Sequence, residues 1–557
     1  MSNTHIASKQ LSRRNFVAGG AVAAVAAATT LATEPRDAHA AIDVLPDTWD
    51  DETDVVVVGY GASGVAAAIT GLQEGYQVLV LEKDTSATGG NLGCATGAVQ
   101  SSMKPNDPGE MIEKLKHFNQ GSVTPEEGEV LYPAIVEQEM EAGEWLDSIE
   151  GLELTWFERD YNDPSRAVGQ NAISARGDGG GRELFANLDE VARGLGIDVR
   201  FSTPGKRLVR NPKTGEIAGV IAEKDGTELA IKARKGVILA CGGFEGDALM
   251  QQWYTGWGIH LFPWGTPLNT GDGIKMAASV GAQMWHMVCS ELGSPCYRHP
   301  SEQVGCAITM QASGNFPDAA SWIFVNHKGA RFVNEAQGTS HAPLYTRKRT
   351  AYFDMEVATY EFANMPYWMV FDQSTFDAAP LYIQSTKISP QTTYAGCQLL
   401  LGQEWTNEWA LEQGWIVKAD TLEELAAAMT RTAPSGLVYN GIDAEGLTAT
   451  VATWNDACEK GEDAAFGRKP ETMAAFGDGP YYAIEMGMGM INAQGGPKRN
   501  ENAQTVDVNG EIIGRLYTVG EMGSLNGGNY NLGNIAEAIT TGRMAMLHAG
   551  MLEDWGA

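Results

Sequence analysis

Three glycines, Gly59, Gly61 and Gly64, stand at the G-x-G-x-x-G spacing in the stretch DVVVVGYGASG, residues 54–64. Before them Val55 to Val58 are apolar and β-branched, as in a buried parallel strand. After them Ala62 to Leu72 carry a helical apolar pattern. Each glycine has its own physical task. Gly59 permits the tight bend, Gly61 lets backbone approach a pyrophosphate, and Gly64 lets the helix pack on the strand. The first helical N–H groups, at Ala62 and Ser63, are then free to bind phosphate oxygens at the positive end of the helix dipole. A second apolar strand, Gln77 to Leu81, ends at Glu82, with Lys83 beside it. A carboxylate about 20 residues beyond the glycines is where ribose hydroxyls are bound. The chemistry predicted is dinucleotide binding. The bland alternative is a glycine-rich βα turn with no ligand.

Small residues cluster again further on, where backbone must lie against something flat or bulky. Thr88-Gly89-Gly90-Asn91 is followed by Gly93-Cys94-Ala95-Thr96-Gly97-Ala98. Gly89, Gly90, Asn91, Gly97 and Ala98 therefore join the candidate cofactor-binding residues.

The elements that must position these residues are set out along 557 residues, enough for two or three domains with real cores. The composition, 43% hydrophobic and 20% charged, is that of an ordinary globular protein. The net charge of −31 argues against nucleic acid and anionic membrane surfaces as partners, because both would repel the chain; its bland meaning is a well-solvated acidic surface. Seven cysteines contain no C-x-x-C pair and no haem-attachment motif. Cys289, Cys296 and Cys306 lie close together and could ligate an iron–sulfur cluster, form a disulfide, or be thiols without chemistry.

The first 40 residues read as an address. Ser12-Arg13-Arg14-Asn15-Phe16 is a twin-arginine pattern, an Ala/Val-rich run over 17–32 follows, and Ala38-His39-Ala40 offers a cleavage site. Export of a folded, cofactor-loaded protein through the twin-arginine machinery is expected, to the periplasm or cell surface. No other stretch is long and apolar enough to span a bilayer. Residues 107–150 and Arg182 to Leu195 read as helices. Val199 to Leu229 reads as a small antiparallel piece with a turn at 212–215. Lys235 to Ala240 is a buried strand that runs into Cys241-Gly242-Gly243-Phe244. Asn269-Thr270-Gly271-Asp272 opens a helix, and Trp322 to Val325 is a strand. Helices follow at Leu422 to Thr430 and Leu447 to Lys460. Tyr481 to Met490 and Gly514 to Gly520 read as strands that return to the first domain, before a last helix, Asn534 to Leu552.

The landmarks VVVVGYGASG, LEK, TGG, ILACGGF, TGDGIKMA, GARFVNE, YTVGE and NLGNIAEAITTGR, in this order, resemble the flavoproteins of the fumarate reductase, succinate dehydrogenase and 3-ketosteroid dehydrogenase group. The resemblance implies an α/β fold: a Rossmann-like FAD-binding domain with an inserted α+β capping (substrate) domain. Residues 50–265 and 471–557 would form the FAD-binding domain and 266–470 the cap. It also implies hydride transfer between flavin N5 and a carbon of an activated carbon–carbon bond. Gly242, Gly243 and Asp272 join the cofactor-binding candidates through their motifs. Glu521 would face the ribityl chain, and Asn534 and Ile535 would aim the last helix N-terminus at flavin N1 and O2. The histidine that carries covalent FAD in succinate dehydrogenases has no counterpart over 85–98, so FAD is expected to be noncovalent.

Fumarate reductases of this group clamp a dicarboxylate with arginines and histidines. At the position of their proton-donating arginine stands Thr339, at the histidine pair Asn492 and Gln494, and the loop Gly528 to Gly533 has no arginine. A carboxylate buried without a cation costs several kcal/mol in order of magnitude. A neutral substrate is therefore expected, an enone or unsaturated lactone, as in the gut bacterial cardiac glycoside reductases of this group. Tyr345, Tyr352, Phe353, Tyr367, Trp368, Phe371, Phe376 and Tyr382 allow an apolar pocket, or simply pack a core. Tyr530 matches a ketosteroid dehydrogenase tyrosine that polarises the substrate carbonyl. Tyr530, His341 and Thr339 are the candidate catalytic residues. The expected activity is reduction of a C=C conjugated to a carbonyl, with electrons from a separate donor such as a cytochrome. The alternatives are a ketosteroid-type dehydrogenase in the oxidative direction, a fumarate reductase-like enzyme for an unsaturated carboxylate, and a secreted flavin-binding protein without catalysis.

Overall fold

The computed structural model describes residues 39–95, 99–101, 103, 107–119, 122–152, 154–159, 170–175, 180–255, 261–263, 265–298, 307–309, 319–336, 342–343, 355–356, 361–381, 405–432, 438–525 and 534–556. Two eight-stranded sheets organise it. In the first, the order across the sheet is Gln504–Val506, Ile512–Thr518, Thr227–Leu239, Asp51–Val58, Val78–Leu81 and Asp198–Arg200. From Ile512–Thr518 to Asp198–Arg200 the pairing is parallel. Val55, Val56, Val57 and Val58 are all buried, as a parallel strand covered on both faces requires. The helix Ala62–Gln73 and the last helix, Asn534–Gly550, pack together over this sheet. A Cβ on Gly542 would collide with Ser63 O, so the two helices meet backbone to side at that point.

The antiparallel piece expected near residues 199–229 is present as Gly205–Arg210, Ile217–Lys224 and the start of Thr227–Leu239. That last strand is longer than expected. Its first half pairs with Ile217–Lys224, and its second half, which contains Val237 and Leu239, runs on into the parallel sheet. The first described residue, His39, has its Nδ1 3.0 Å from Lys206 O. Ile42 donates its N–H to Leu208 O at 2.9 Å, and Ile42, Leu45 and Trp49 cover Val209, Ala218 and Ile221.

The second sheet has the order Ala307–Thr309, Ser290–Arg298, Tyr481–Ala493, Tyr367–Asp372 and Trp322–Asn326. The strand expected over 481–490 to return to the first sheet is thus the centre of the second. It pairs antiparallel with Ser290–Arg298 on one side and Tyr367–Asp372 on the other. Met486, Met488 and Met490 fill the core beside it, alternating with Gly487 and Gly489. A strand buried on both faces carries no polar face to say which sheet owns it. Tyr367, Trp368, Phe371 and Phe376 are core residues here, at most 7% exposed. The helices Leu422–Ala428 and Ala444–Lys460 cover this sheet's far side, with Leu425, Leu447 and Trp454 buried against Ile323 and Val370. Among the described residues no helix is long and apolar enough to cross a membrane.

The motif Arg331-Phe332-Val333-Asn334-Glu335 has a structural task. Arg331 Nη2 donates to Glu335 Oε2 at 2.8 Å and to Asp463 Oδ2 at 2.9 Å. Arg468 lies behind, donating to Trp322 O at 2.7 Å and stacked over the Trp322 ring. Removing one member of a buried charge network leaves the others uncompensated. Arg331→Met is expected to lower the unfolding free energy by about 3–5 kcal/mol, read by urea denaturation. A loss below about 1 kcal/mol would mean that the network behaves as a surface one.

Candidate functional site

The strands Asp51–Val58 and Thr227–Leu239 end side by side at Gly59 and Ala240. Gly59 has φ +102°, and a Cβ there would run into the Ala240 carbonyl. A Cβ on Gly64 would strike Gly59 O in turn. These two glycines let backbone touch backbone. Gly61 is different. It caps the helix Ala62–Gln73 in an extended conformation, and a Cβ there would come no closer than 3.5 Å to Gly89 O. Across from it, a Cβ on Gly90 would come no closer than 4.0 Å to Gly61 Cα. Two side-chain-free backbones face each other across a slot.

That slot opens into a cleft of about 1390 Å³, its solvent-open part included. Of the residues expected to bind a cofactor, Gly59, Gly61, Ala62, Ser63, Glu82, Lys83, Gly89, Gly90, Asn91, Gly242, Asp272, Glu521, Asn534 and Ile535 line it. Gly64 and Gly243 do not. They stand behind the lining, Gly64 under Gly59 and Gly243 against the Glu245 side chain. Gly97 and Ala98 lie outside the described residues, as do Thr339, His341 and Tyr530.

Glu82 closes the second strand. Its Oε2 accepts from Tyr60 N and its Oε1 from Asp84 N, both at 2.7 Å. Burial raises its carboxyl above the usual range in spite of these donors. Lys83 Nζ donates to Asp272 Oδ2 at 2.7 Å and to Thr270 Oγ1 at 2.8 Å. Burial pushes Asp272 up, but the Lys83 charge and hydrogen bond outweigh it and hold the carboxyl below its ordinary value. The Cys241 thiol, donating to Val58 O at 3.3 Å, is pushed up to about 12 by burial and is inert.

At the other end, Glu521 follows the strand Ile512–Thr518 through Val519 and Gly520. Arg499 pins this turn. Its guanidinium donates to Gly520 O at 3.1 Å and Met522 O at 3.2 Å, and it pairs with Glu537 on the last helix. Glu537 also accepts from Ser524 Oγ and Leu525 N at 2.6 Å. The arrangement carries Glu521 into the cleft. There its Oε2 accepts from Asn91 Nδ2 at 3.0 Å and Asn269 Nδ2 at 3.4 Å. Asn91 Oδ1 accepts from Thr266 N at 2.9 Å, and Gly265 leaves the room for it.

Sequence reasoning missed Asn269 and Arg499 as organisers of this wall, and it missed Glu245. Their signal was faint: an acid directly after Gly242-Gly243-Phe244, and an arginine in a stretch with no motif.

Buried polar atoms aimed at the cleft test whether a dinucleotide suits it. Both amide atoms of Asn534 and Asn492 Oδ1 are buried without a protein partner. Such groups cost about 1–3 kcal/mol each when unsatisfied, so a polar ligand is the natural counterpart. Ala62 and Ser63 could bind a pyrophosphate across the Gly61–Gly90 slot. Glu82 could take ribose hydroxyls, and Asn534 and Ile535 could meet a ring system at the last helix N-terminus. Among the described residues no cluster of three His, Cys, Asp or Glu side chains could hold a metal ion. Burial pushes the Cys289 thiol up to about 11 and Cys296 higher still, while Cys306 lies outside the described residues.

The profile of the family described as FAD binding domain matches residues 54–536. A vinyl phenol reductase of Lactiplantibacillus plantarum is 27% identical over 511 residues, covering 86% of this chain and 92% of that one. A fumarate reductase (cytochrome) of Shewanella frigidimarina is 27% identical over 535 residues, covering 92% and 79%. The crystal structure of the 3-ketosteroid delta1-dehydrogenase of Sterolibacterium denitrificans superposes with a TM-score of 0.65 at 22% identity, covering 90% and 99%, and so has the same fold.

The two kinds of glycine separate by experiment. Gly61→Val is expected to fold with a near-normal melting curve and to lose flavin absorbance on purification. Gly64→Val is expected not to accumulate as folded protein. Full flavin content in Gly61→Val would remove the slot from the site.

Proposed function

The chain belongs to the FAD binding domain family and is an FAD-dependent oxidoreductase of carbon–carbon bonds; from that premise we propose that it reduces a neutral C=C conjugated to a carbonyl, outside the cytoplasmic membrane. FAD, when bound, would supply hydride chemistry. Ala62 and Ser63 would hold its phosphates, Glu82 its ribose, and Glu521, Asn534 and Ile535 its polyol and ring edge.

The observation that carries the substrate class is the charge of the cleft. Among the described residues that line it, the one cation is Lys83, and Asp272 neutralises it at 2.7 Å. The remaining charged groups, Glu82, Asp84 and Glu521, are acids. A substrate carboxylate brought here would meet like charge and no partner among the described lining residues, a cost of several kcal/mol in order of magnitude. Where fumarate-reducing relatives would place histidines, Asn492 and Gln494 are neutral and buried. The vinyl phenol reductase relative supports the neutral charge of the substrate, since a vinyl phenol has no carboxylate, and not its carbonyl, which a vinyl phenol lacks. Tyr530, in the loop that leads to Asn534, is the proposed acid that holds the carbonyl or protonates the α-carbon. His341 and Thr339 stand as its alternatives.

Export rests on the twin-arginine pattern at 12–16 and on the small residues Ala38 and Ala40, which offer a cleavage site. The electron donor is proposed to be a separate cytochrome. The fumarate reductase (cytochrome) relative supports this.

The test is anaerobic oxidation of a reduced viologen dye by the FAD-loaded protein. Neutral enones and unsaturated lactones are expected to turn over, while fumarate, urocanate and cinnamates are not. Turnover with carboxylates alone would overturn the substrate class. Tyr530→Phe is expected to cut turnover about a hundredfold with flavin content unchanged. Full activity in that variant would take Tyr530 out of the reaction.

A further inference from the structure

Behind Glu521 lies a second acid, Glu245, only 1% exposed. Gly243 makes room for it, since a Cβ at that glycine would sit 2.7 Å from Glu245 Oε2. The hydrogen-bond inventory of the two carboxyls is specific. Glu245 Oε1 accepts from Ala493 N at 2.8 Å and from Asn91 Nδ2 at 3.4 Å. Glu521 Oε2 accepts from Asn91 Nδ2 at 3.0 Å and from Asn269 Nδ2 at 3.4 Å. Two oxygens remain, Glu245 Oε2 and Glu521 Oε1, both buried and without a donor. The two carboxyl groups share one donor: Asn91 Nδ2 lies 3.4 Å from Glu245 Oε1 and 3.0 Å from Glu521 Oε2. Two carboxylates cannot hydrogen-bond; a carboxylic acid and a carboxylate can.

We infer that Glu245 and Glu521 hold one proton between them at neutral pH, so that a carboxylic acid dyad with a single negative charge forms part of the cofactor cavity wall. One proton adds a donor to a pair of carboxyls in which two buried oxygens have none. The donors packed against the pair are all neutral: the Asn91 and Asn269 amides, Ala493 N, and Gln251 Nε2, which binds the main-chain oxygen of Glu245. The charged side chains lining the same cleft are Glu82, Lys83, Asp84 and Asp272, and Lys83 is already paired with Asp272. With no cation facing the pair among the described residues, a proton is the remaining way to offset two buried charges. Burial raises both carboxyls, and for Glu521 the charge of Glu245 raises it further, so the proton is kept well above the usual carboxylate range.

The dyad makes the cavity wall titratable. Below its second ionisation the wall carries one charge. Above it the wall carries two, and any ligand with negative charge of its own is repelled. The cavity's affinity for FAD, which carries a pyrophosphate, is therefore coupled to pH through residues that do not touch the phosphates.

Infrared spectroscopy of the FAD-loaded protein tests the proton directly. The wild type is expected to show a protonated-carboxyl C=O stretch at neutral pH that shifts in D2O and with ¹³C-glutamate labelling. Glu245→Gln and Glu521→Gln are each expected to lose it, because the glutamine N–H replaces the shared proton and leaves the partner an ordinary carboxylate. A wild type without the band, or a band unchanged in both variants, overturns the inference. The wild-type spectrum decides even where a variant fails to fold. As a second readout, FAD affinity of the wild type is expected to fall by up to about tenfold per pH unit above the dyad's ionisation, with a flatter profile in Glu245→Gln. Parallel profiles in the two proteins overturn the coupling. Neither measurement involves a substrate, so failure here is distinct from failure of the proposed reaction.

Discussion

The structure depends on one place where backbone meets backbone without side chains between. At Gly59 and Ala240 two neighbouring parallel strands end in contact, and Gly64 sits on the Gly59 carbonyl. Backbone cannot yield as a flexible side chain can, so this junction fixes the direction in which Ala62–Gln73 leaves the sheet. The last helix is then fixed by the first, because Gly542 rests on the Ser63 backbone and Gly71 leaves space for Met546. Two helix N-termini, at Ala62 and at Asn534, consequently open on one cleft. Both carry partial positive charge there, which suits a ligand with a pyrophosphate at one end and an electron-accepting ring at the other.

The far wall is held by a polar constraint. Arg499 is only 4% exposed, and its partners are Glu537 and the carbonyls of Thr518, Gly520 and Met522. Taking a guanidinium out of water costs several kcal/mol, recovered only when its donors are all engaged. Here they converge on one turn, which therefore has little freedom to move without breaking several bonds at once. The same turn delivers Glu521 to the cleft.

Much of this was legible because local rules agreed with the fold. The G-x-G-x-x-G turn, the valine run, and Glu82 after Leu81 each follow from a single segment. So do the helices read over 107–150, which are Pro108–Phe118 and Pro125–Ser148. The rest depended on partners far apart in sequence. Tyr481–Ala493 reads as a buried strand, but nothing in alternating Met and Gly says which sheet it joins. Gly64 and Gly243 carry the same signature as Gly61, although they back the lining and do not form it. The site's polar wall was the least legible part. Asn91, Asn269, Glu245 and Glu521 come from four separate segments, and only the folded chain shows that they share a hydrogen-bond network.

The acids of the cleft are each compensated by a different means, and this decides what else the site can admit. Asp272 has a cation, Lys83, at 2.7 Å. Glu82 has two backbone N–H donors. Glu521 has two side-chain amides and, through Glu245, the proton we infer. The positive helix ends at Ala62 and Asn534 line the same cleft, where the phosphates and ring edge of the proposed FAD pose would take them up. No compensation is left over among the described lining residues for one more full negative charge. A neutral substrate makes no such demand. Its carbonyl needs one hydrogen-bond donor, which a single phenol such as Tyr530 can supply, and a charge that develops only during reaction can be met by a group placed for that moment. The same distribution of charge that lets the cavity accept a dinucleotide therefore argues for a substrate whose polarity is a dipole and not an ion.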